Sequence, residues 1–200
     1  MFCGMSTMND QAFIFIHIQK TGGDSIRRAL GLPMADPYKH YTARERRELD
    51  SELWKRAFKF AFVRNPWDRL VLWWSAISAR REVFLRGARL NVFQTYILEN
   101  AIDFSSFLRC DREIKYHGTR SVSVYKNQVE YIAKDMDFVG RFERLEDDFR
   151  RVASALRVRA GLPHVNASQH QHYRHYYDDE LRRLVARKYE RDIAAFGYVF

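Results

Sequence analysis

Two short apolar runs, each broken at a turn that carries a cation, constrain this chain more than anything else in it. The first, residues 12–18 within "QAFIFIHIQKTGGDSIRRAL", is β-branched and aromatic, and apolar except for His17. The second, residues 58–63, stands within "KFAFVRNPWDRLVLWW". Runs of this kind read as strands buried on both faces, which belong to parallel sheets covered by helices. After the first, residues 25–30 read as a helix stopped by Gly31 and Pro33. After the second, Asn65 suits an N-cap, Pro66 the first helical position and Asp68 the first turn, opening a helix expected to reach about Arg81.

Further along, residues 34–41 read as a loop, and Thr42 as the cap of a short charged helix running through Arg47. Residues 91–108 read as one helix with Ile97, Ala101 and Phe104 on one side. Residues 110–134 are the least legible, with "SVSVY" hinting at a short strand. A third strand is expected over 137–142. An amphipathic helix follows over 145–157, ended by Gly161 and Pro163. The last helix is expected over 178–196, where Leu181, Leu184, Val185 and Tyr189 keep helical spacing. Strands alternate with helices and no repeat or linker intervenes. The expected class is therefore α/β, with a central, mainly parallel sheet in one domain over 12–200 behind a flexible tail, 1–11.

The formal charge of +9 implies an anionic partner: a nucleotide, a nucleic acid, an acidic glycan or a membrane surface. Cys3 and Cys110 are too far apart for a metal or redox spacing, and no disulfide framework is expected. The opening "MFCGMSTMND" has neither a basic nor an apolar signal region, so the expected location is cytoplasmic.

In a parallel sheet, ligands sit where strands end and helices begin. A helix opening there offers unpaired N–H groups to phosphate. In the first turn, Gly22 and Gly23 allow close approach of the backbone, Lys20 adds a cation and Ser25 a hydroxyl. Asp24 would repel phosphate and is expected to cap its own helix instead. Lysine precedes the glycines, so the nucleoside-triphosphate loop G-x-x-x-x-G-K-[ST] is absent, as is G-x-G-x-x-G. Arg64 ends the second strand beside another helix opening. Together the turns make two phosphate pockets at one sheet edge, the arrangement a nucleotide phosphorylated at both ends would need.

The chain here resembles the sulfotransferases that use 3′-phosphoadenosine 5′-phosphosulfate, in the branch related to heparan and chondroitin O-sulfotransferases. The matching pieces are "FIHIQKTGGDSI", "FKFAFVRNPWDRLV", "DFVGRFERLEDDF" and "LPHVNASQHQHYRHYYDDE…DIAAFGYVF", in the family's order and reaching from about residue 12 to the C-terminus. The resemblance implies a three-layer, P-loop-like sulfotransferase fold with no bound metal. It implies that Lys20, Thr21, Gly22, Gly23, Asp24 and Ser25 form the 5′-phosphosulfate loop, with Lys20 on the bridging oxygen. Arg64 resembles the arginine that grips the 3′-phosphate. "NASQH" resembles part of a loop closing over the donor, which puts Ser168 and His170 among the donor-binding residues. Two positions depart from the family pattern: Leu72 stands where a serine is usual, with Ser75 or Arg69 as substitutes, and Asp24 stands for a threonine.

An alcohol acceptor needs a base poised near neutral pH, which suits histidine. His40, in "PYKHYTARE", lies between the two loops, where related heparan sulfotransferases carry theirs; with Lys20 it is the catalytic candidate, and His117 is the reserve. His17 fits a hydrogen-bonded core histidine better than a base. His170, His172 and His175 lack the companions of a metal site. Arg141, Glu143 and Glu146 face donor or acceptor, or else the acidic run simply suits a helix start. The pair Trp73 and Trp74 fits core packing better than a sugar platform.

The reading is thus sulfuryl transfer to a carbohydrate or glycolipid hydroxyl. The acceptor class rests on the resemblance alone, and contact with a membrane bearing a lipid-linked acceptor stays open. A nucleic-acid-binding module is the rival from another class, but no helix-turn-helix, RNA-recognition or zinc-finger pattern is present, and nucleic acid is not an expected partner. A nucleotide kinase lacks its glycine and lysine order here. A sulfotransferase-like protein that binds nucleotide without turnover remains the alternative, on the strength of Leu72 and Asp24.

Overall fold

The computed structural model describes residues 7–8, 11–110, 126–163 and 171–200, and the chain divides into two compact units, Met1–Arg64 with Gln128–Ala167 and Asn65–Asn127 with Ser168–Phe200. Ser168, His170, His117 and the "SVSVY" segment lie outside the described residues.

The first unit holds the sheet. Strands β1 (Thr7–Met8), β2 (Gln11–Ile16), β3 (Phe58–Val63) and β4 (Phe138–Arg141) lie in that order. β2, β3 and β4 are parallel, and β1, inside the segment read as a tail, pairs antiparallel with β2. The class is α/β, with a parallel three-strand core flanked by helices. Register sets Phe15 opposite Phe60 and Phe60 opposite Phe138. Phe13, Phe15, Phe60 and Phe62 form one buried face with Ile26 and Leu30 of the α1 segment (helix Gly23–Ala29 and its C-cap) and with Phe149, Val152 and Leu156 of the α8 segment (helix Leu145–Ala155 and its C-cap). The Phe15 and Phe60 rings stack at 5.0 Å. Ile14, Ile16, Ala61 and Val63 alternate to the other face and are buried too, as a parallel sheet demands. Lys59 is tolerated within β3 because Asp137 pairs with its ammonium at 2.9 Å and the Ala57 carbonyl accepts from it at 3.0 Å.

Thr42 caps α2 (Ala43–Leu49) through a capping box with Glu45, and Asp50 then caps α3 (Ser51–Arg56), which the sequence reading lacked.

The second unit is helical: α4 (Pro66–Ser78), α5 (Arg81–Leu85), α6 (Val92–Asn100), α7 (Phe104–Arg109), α9 (Asp179–Lys188) and α10 (Glu190–Phe196). Asn65 caps α4 by accepting the Trp67 N–H, with Pro66 at the first position, as expected. Three helix lengths differ from expectation. α4 ends at Ser78, short of Arg81. The helix expected over 91–108 breaks at Ala101, because Asp103 and Ser106 start a new one with a reciprocal cap. The helix expected over 178–196 breaks at Tyr189, whose side chain is fully buried. Trp73 packs edge-on against Phe93 at 5.6 Å and Trp74 packs on Phe107 at 5.7 Å, so the tryptophan pair serves packing. Among the described residues no helix is long and apolar enough to cross a membrane.

Candidate active site

β2 and β3 are adjacent and parallel, so the turns that follow them leave from the same end of the sheet. Lys20 takes the left-handed region at φ 66°, which is uncommon outside glycine and shows how tightly the turn after β2 is set. The Thr21 side chain is buried and its hydroxyl donates to the Ile18 carbonyl at 2.9 Å. Gly22, at φ 82°, is the N-cap of α1, and its carbonyl accepts from Ser25 N–H at 3.1 Å and Ile26 N–H at 3.3 Å. The N–H groups of Gly23 and Asp24 come ahead of that ladder, as at any helix start.

Gly23 is fixed by its neighbour. A Cβ there would lie 2.0 Å from Nε2 of His17, so the turn closes onto the histidine ring. His17 is buried as expected, and it stacks on Phe15 at 5.4 Å. It is not hydrogen-bonded through the whole ring, however: Nδ1 finds no partner among the described residues.

Asp24 does not cap α1, whose N-cap has no side-chain hydrogen bond. Its carboxylate pairs with Lys39 at 2.7 Å. This is one of three ties that fold residues 31–41 back onto the first turn. Buried Arg27 donates to the Pro33 carbonyl and to Asp36 at 2.9 Å, and the other Asp36 oxygen accepts the Tyr38 N–H. Next to Lys39, His40 places Nδ1 at 3.0 Å from the His17 carbonyl, and the two rings lie 4.8 Å apart. A carbonyl only accepts, so Nδ1 of neutral His40 carries the proton and Nε2 keeps its lone pair.

Burial holds His40 below the ordinary histidine value of 6.5, and Lys39 adds to this against the opposing His17 carbonyl and Asp24. Burial also pushes His17 well below 6.5, helped by the nearby charges of His40, Lys39 and Arg27. Below pH 6.5 the unfolded chain therefore binds protons that the folded chain refuses, and folding stability falls with pH until the folded-state values are reached. Thermal melts should show a lower Tm at about pH 5.5 than at about pH 7.5, and a flat profile would contradict neutral burial of this pair.

Arg64 directly follows β3 and is buried. Its N–H donates to Gln128 Oε1 at 2.9 Å, and its carbonyl accepts from Gln128 Nε2 at 2.8 Å. The fully buried Gln128 amide thus pairs both main-chain groups of Arg64 where the β4 ladder stops at Arg141. The Arg64 guanidinium lies 3.8 Å above the ring of Phe142. Phe142 also borders the first turn, because a Cβ on Gly22 would meet its ring edge at 3.1 Å and Leu145 at 2.8 Å.

Gly22 and Arg64 are therefore brought against one aromatic ring, and His40 is tied to His17, just past the end of β2. Leu72, Ser75 and Arg69 belong to α4 in the other unit, where buried Arg69 donates to the Lys126 carbonyl at 3.4 Å. Glu143 and Glu146 are exposed. Asp148, in the first turn of α8, is buried and accepts the Arg141 N–H at 2.8 Å, so the acidic run serves its helix and strand. Among the described residues no group of three or more His, Cys, Asp or Glu is placed to hold a metal ion. Sequence reasoning missed Gln128, Phe142, Arg27 and Lys39. Only Phe142 stood inside a recognised motif, as the neighbour of Arg141 and Glu143.

The sulfotransferase family matches residues 5–199. The chain is 28% identical over 165 residues to carbohydrate sulfotransferase 14 of Danio rerio, a stretch covering 70% of this chain and 44% of that protein, so the chain spans less than half of its relative's length. No solved structure matches. With nearly its whole length matched, the chain belongs to the sulfotransferase family.

Proposed function

We propose that the chain moves a sulfuryl group from 3′-phosphoadenosine 5′-phosphosulfate to a hydroxyl of a carbohydrate or glycolipid. The observation that carries this reading is the Lys20 turn and Arg64 at the same ends of two adjacent parallel strands. That placement suits a nucleotide with phosphates at both 5′ and 3′ positions. Family membership supports the donor, and the name of the Danio rerio relative supports a carbohydrate acceptor.

In the reaction, the acceptor oxygen attacks sulfur while the bond from sulfur to the 5′-phosphate oxygen breaks. His40 Nε2 takes the acceptor proton, and its held Nδ1 proton supports that assignment. Lys20 offsets the charge gathering on the leaving phosphate oxygen, the turn from Thr21 to Ser25 cradles that phosphate, and Arg64 holds the 3′-phosphate. Binding without turnover remains the alternative, motivated by Leu72 and by Asp24, whose carboxylate pairs with Lys39.

Calorimetric titration with 3′-phosphoadenosine 5′-phosphate, beside ADP and ATP with magnesium, tests the reading. The bisphosphorylated nucleotide should bind selectively, and Arg64→Ala should weaken it roughly 10- to 100-fold through loss of a charge-assisted contact. Equal or absent binding of all three would overturn it.

A further inference from the structure

We propose that Phe142 is a positioning residue that couples the two phosphate pockets and so sets the preference for a nucleotide carrying both phosphates. The inference rests on the functional reading above and assigns a role to a side chain that touches neither reacting atom.

One ring does two things. Its face lies under the Arg64 guanidinium at 3.8 Å, and its Cδ2 edge lies where any side chain on Gly22 would have to go. A guanidinium lying over an aromatic face is held while its N–H donors, arranged around its rim, stay available to an anion. Gln128 fixes the Arg64 main chain at both its N–H and its carbonyl, and Phe142 backs the guanidinium at the far end of the same residue. Partial exposure of Phe142 also suits a ring that borders a ligand site better than one buried in the core. Because the same ring abuts Gly22, the turn for the 5′-phosphate and the arginine for the 3′-phosphate are seated against a shared surface. Neither can shift without pressing on, or releasing, the other.

The test compares dissociation constants for 3′-phosphoadenosine 5′-phosphate and adenosine 5′-phosphate in wild type, Phe142→Leu and Phe142→Tyr. The preference is a ratio of two dissociation constants from one preparation, so any change in the folded fraction cancels from it. Phe142→Leu keeps apolar bulk and loses the flat face. It should narrow the preference for the bisphosphorylated nucleotide by about tenfold, mostly through weaker binding of that nucleotide. Phe142→Tyr, which keeps the face, should restore the preference. In an Arg64→Ala background, Phe142→Leu should change the preference little, since the two act as one unit. An unchanged preference in Phe142→Leu, or equal weakening of both nucleotides, would overturn the inference while leaving the function standing. A wild type with no preference would instead overturn the assignment of Arg64 and this inference with it.

Discussion

Turnover of the donor by a His40→Ala chain is expected to fall by about 10²- to 10⁴-fold, the range that a positioned general base contributes. Binding of 3′-phosphoadenosine 5′-phosphate should stay close to wild type, because the phosphates are assigned to Lys20, the turn that follows it, and Arg64. The geometry makes this a sharp expectation. His40 is neutral at pH 7 because burial disfavours its charged form, and the His17 carbonyl at 3.0 Å settles which nitrogen is protonated. A base of this kind works as long as it is unprotonated, so wild-type activity should persist as pH falls to 6.5 and decline only below it. Single-turnover rates across pH, with nucleotide affinity measured on the same preparations, check both halves. Unchanged turnover in His40→Ala would remove it as the base, and a loss of nucleotide affinity as large as the loss of rate would make its role structural.

Gly23→Ala should be the most damaging small substitution in the first turn. The added methyl would stand 2.0 Å from His17 Nε2 and 2.1 Å from Cδ2. The ring cannot swing freely aside, since it is buried, stacked on Phe15 and flanked by the His40 ring. Overpacking of this kind costs about 1–3 kcal/mol, and relief by moving the turn would displace the N–H groups proposed to hold phosphate. Nucleotide binding should therefore weaken along with stability. Gly161 has nothing within 4 Å of its would-be Cβ, so Gly161→Ala is the control and should fall within about 0.5 kcal/mol of wild type. Adding His17→Ala to Gly23→Ala should recover part of the lost stability, because the methyl then has room. Denaturant melts of wild type, Gly23→Ala, His17→Ala and the double variant, with Gly161→Ala beside them, would decide it, and full additivity would show that the histidine is not what excludes a side chain.

What the sequence by itself determined is the part governed by neighbours along the chain. β3 occupies residues 58–63 as read, Asn65 and Pro66 open α4, and Thr42 opens α2, because strand burial and helix capping are written within a few residues. The two turns with Lys20 and Arg64 were legible for the same reason: each is a local strand-to-helix break. The break at Asp103 is local too, a cap overlooked inside a longer periodic run.

The tertiary structure decided the rest. α4 stops early where Arg81 turns to the Leu98 and Ala101 carbonyls, and the last helix breaks where Tyr189 is buried. Asp24 was read as a cap and is instead the partner of Lys39, a residue beyond the end of α1. Gln128 finds Arg64 across 64 positions, and Phe142 meets both Gly22 and Arg64 because β4 delivers it beside β3. A propensity or a cap is fixed by bonds a turn away, whereas these side chains take their roles from partners that only sheet pairing and loop docking bring within reach.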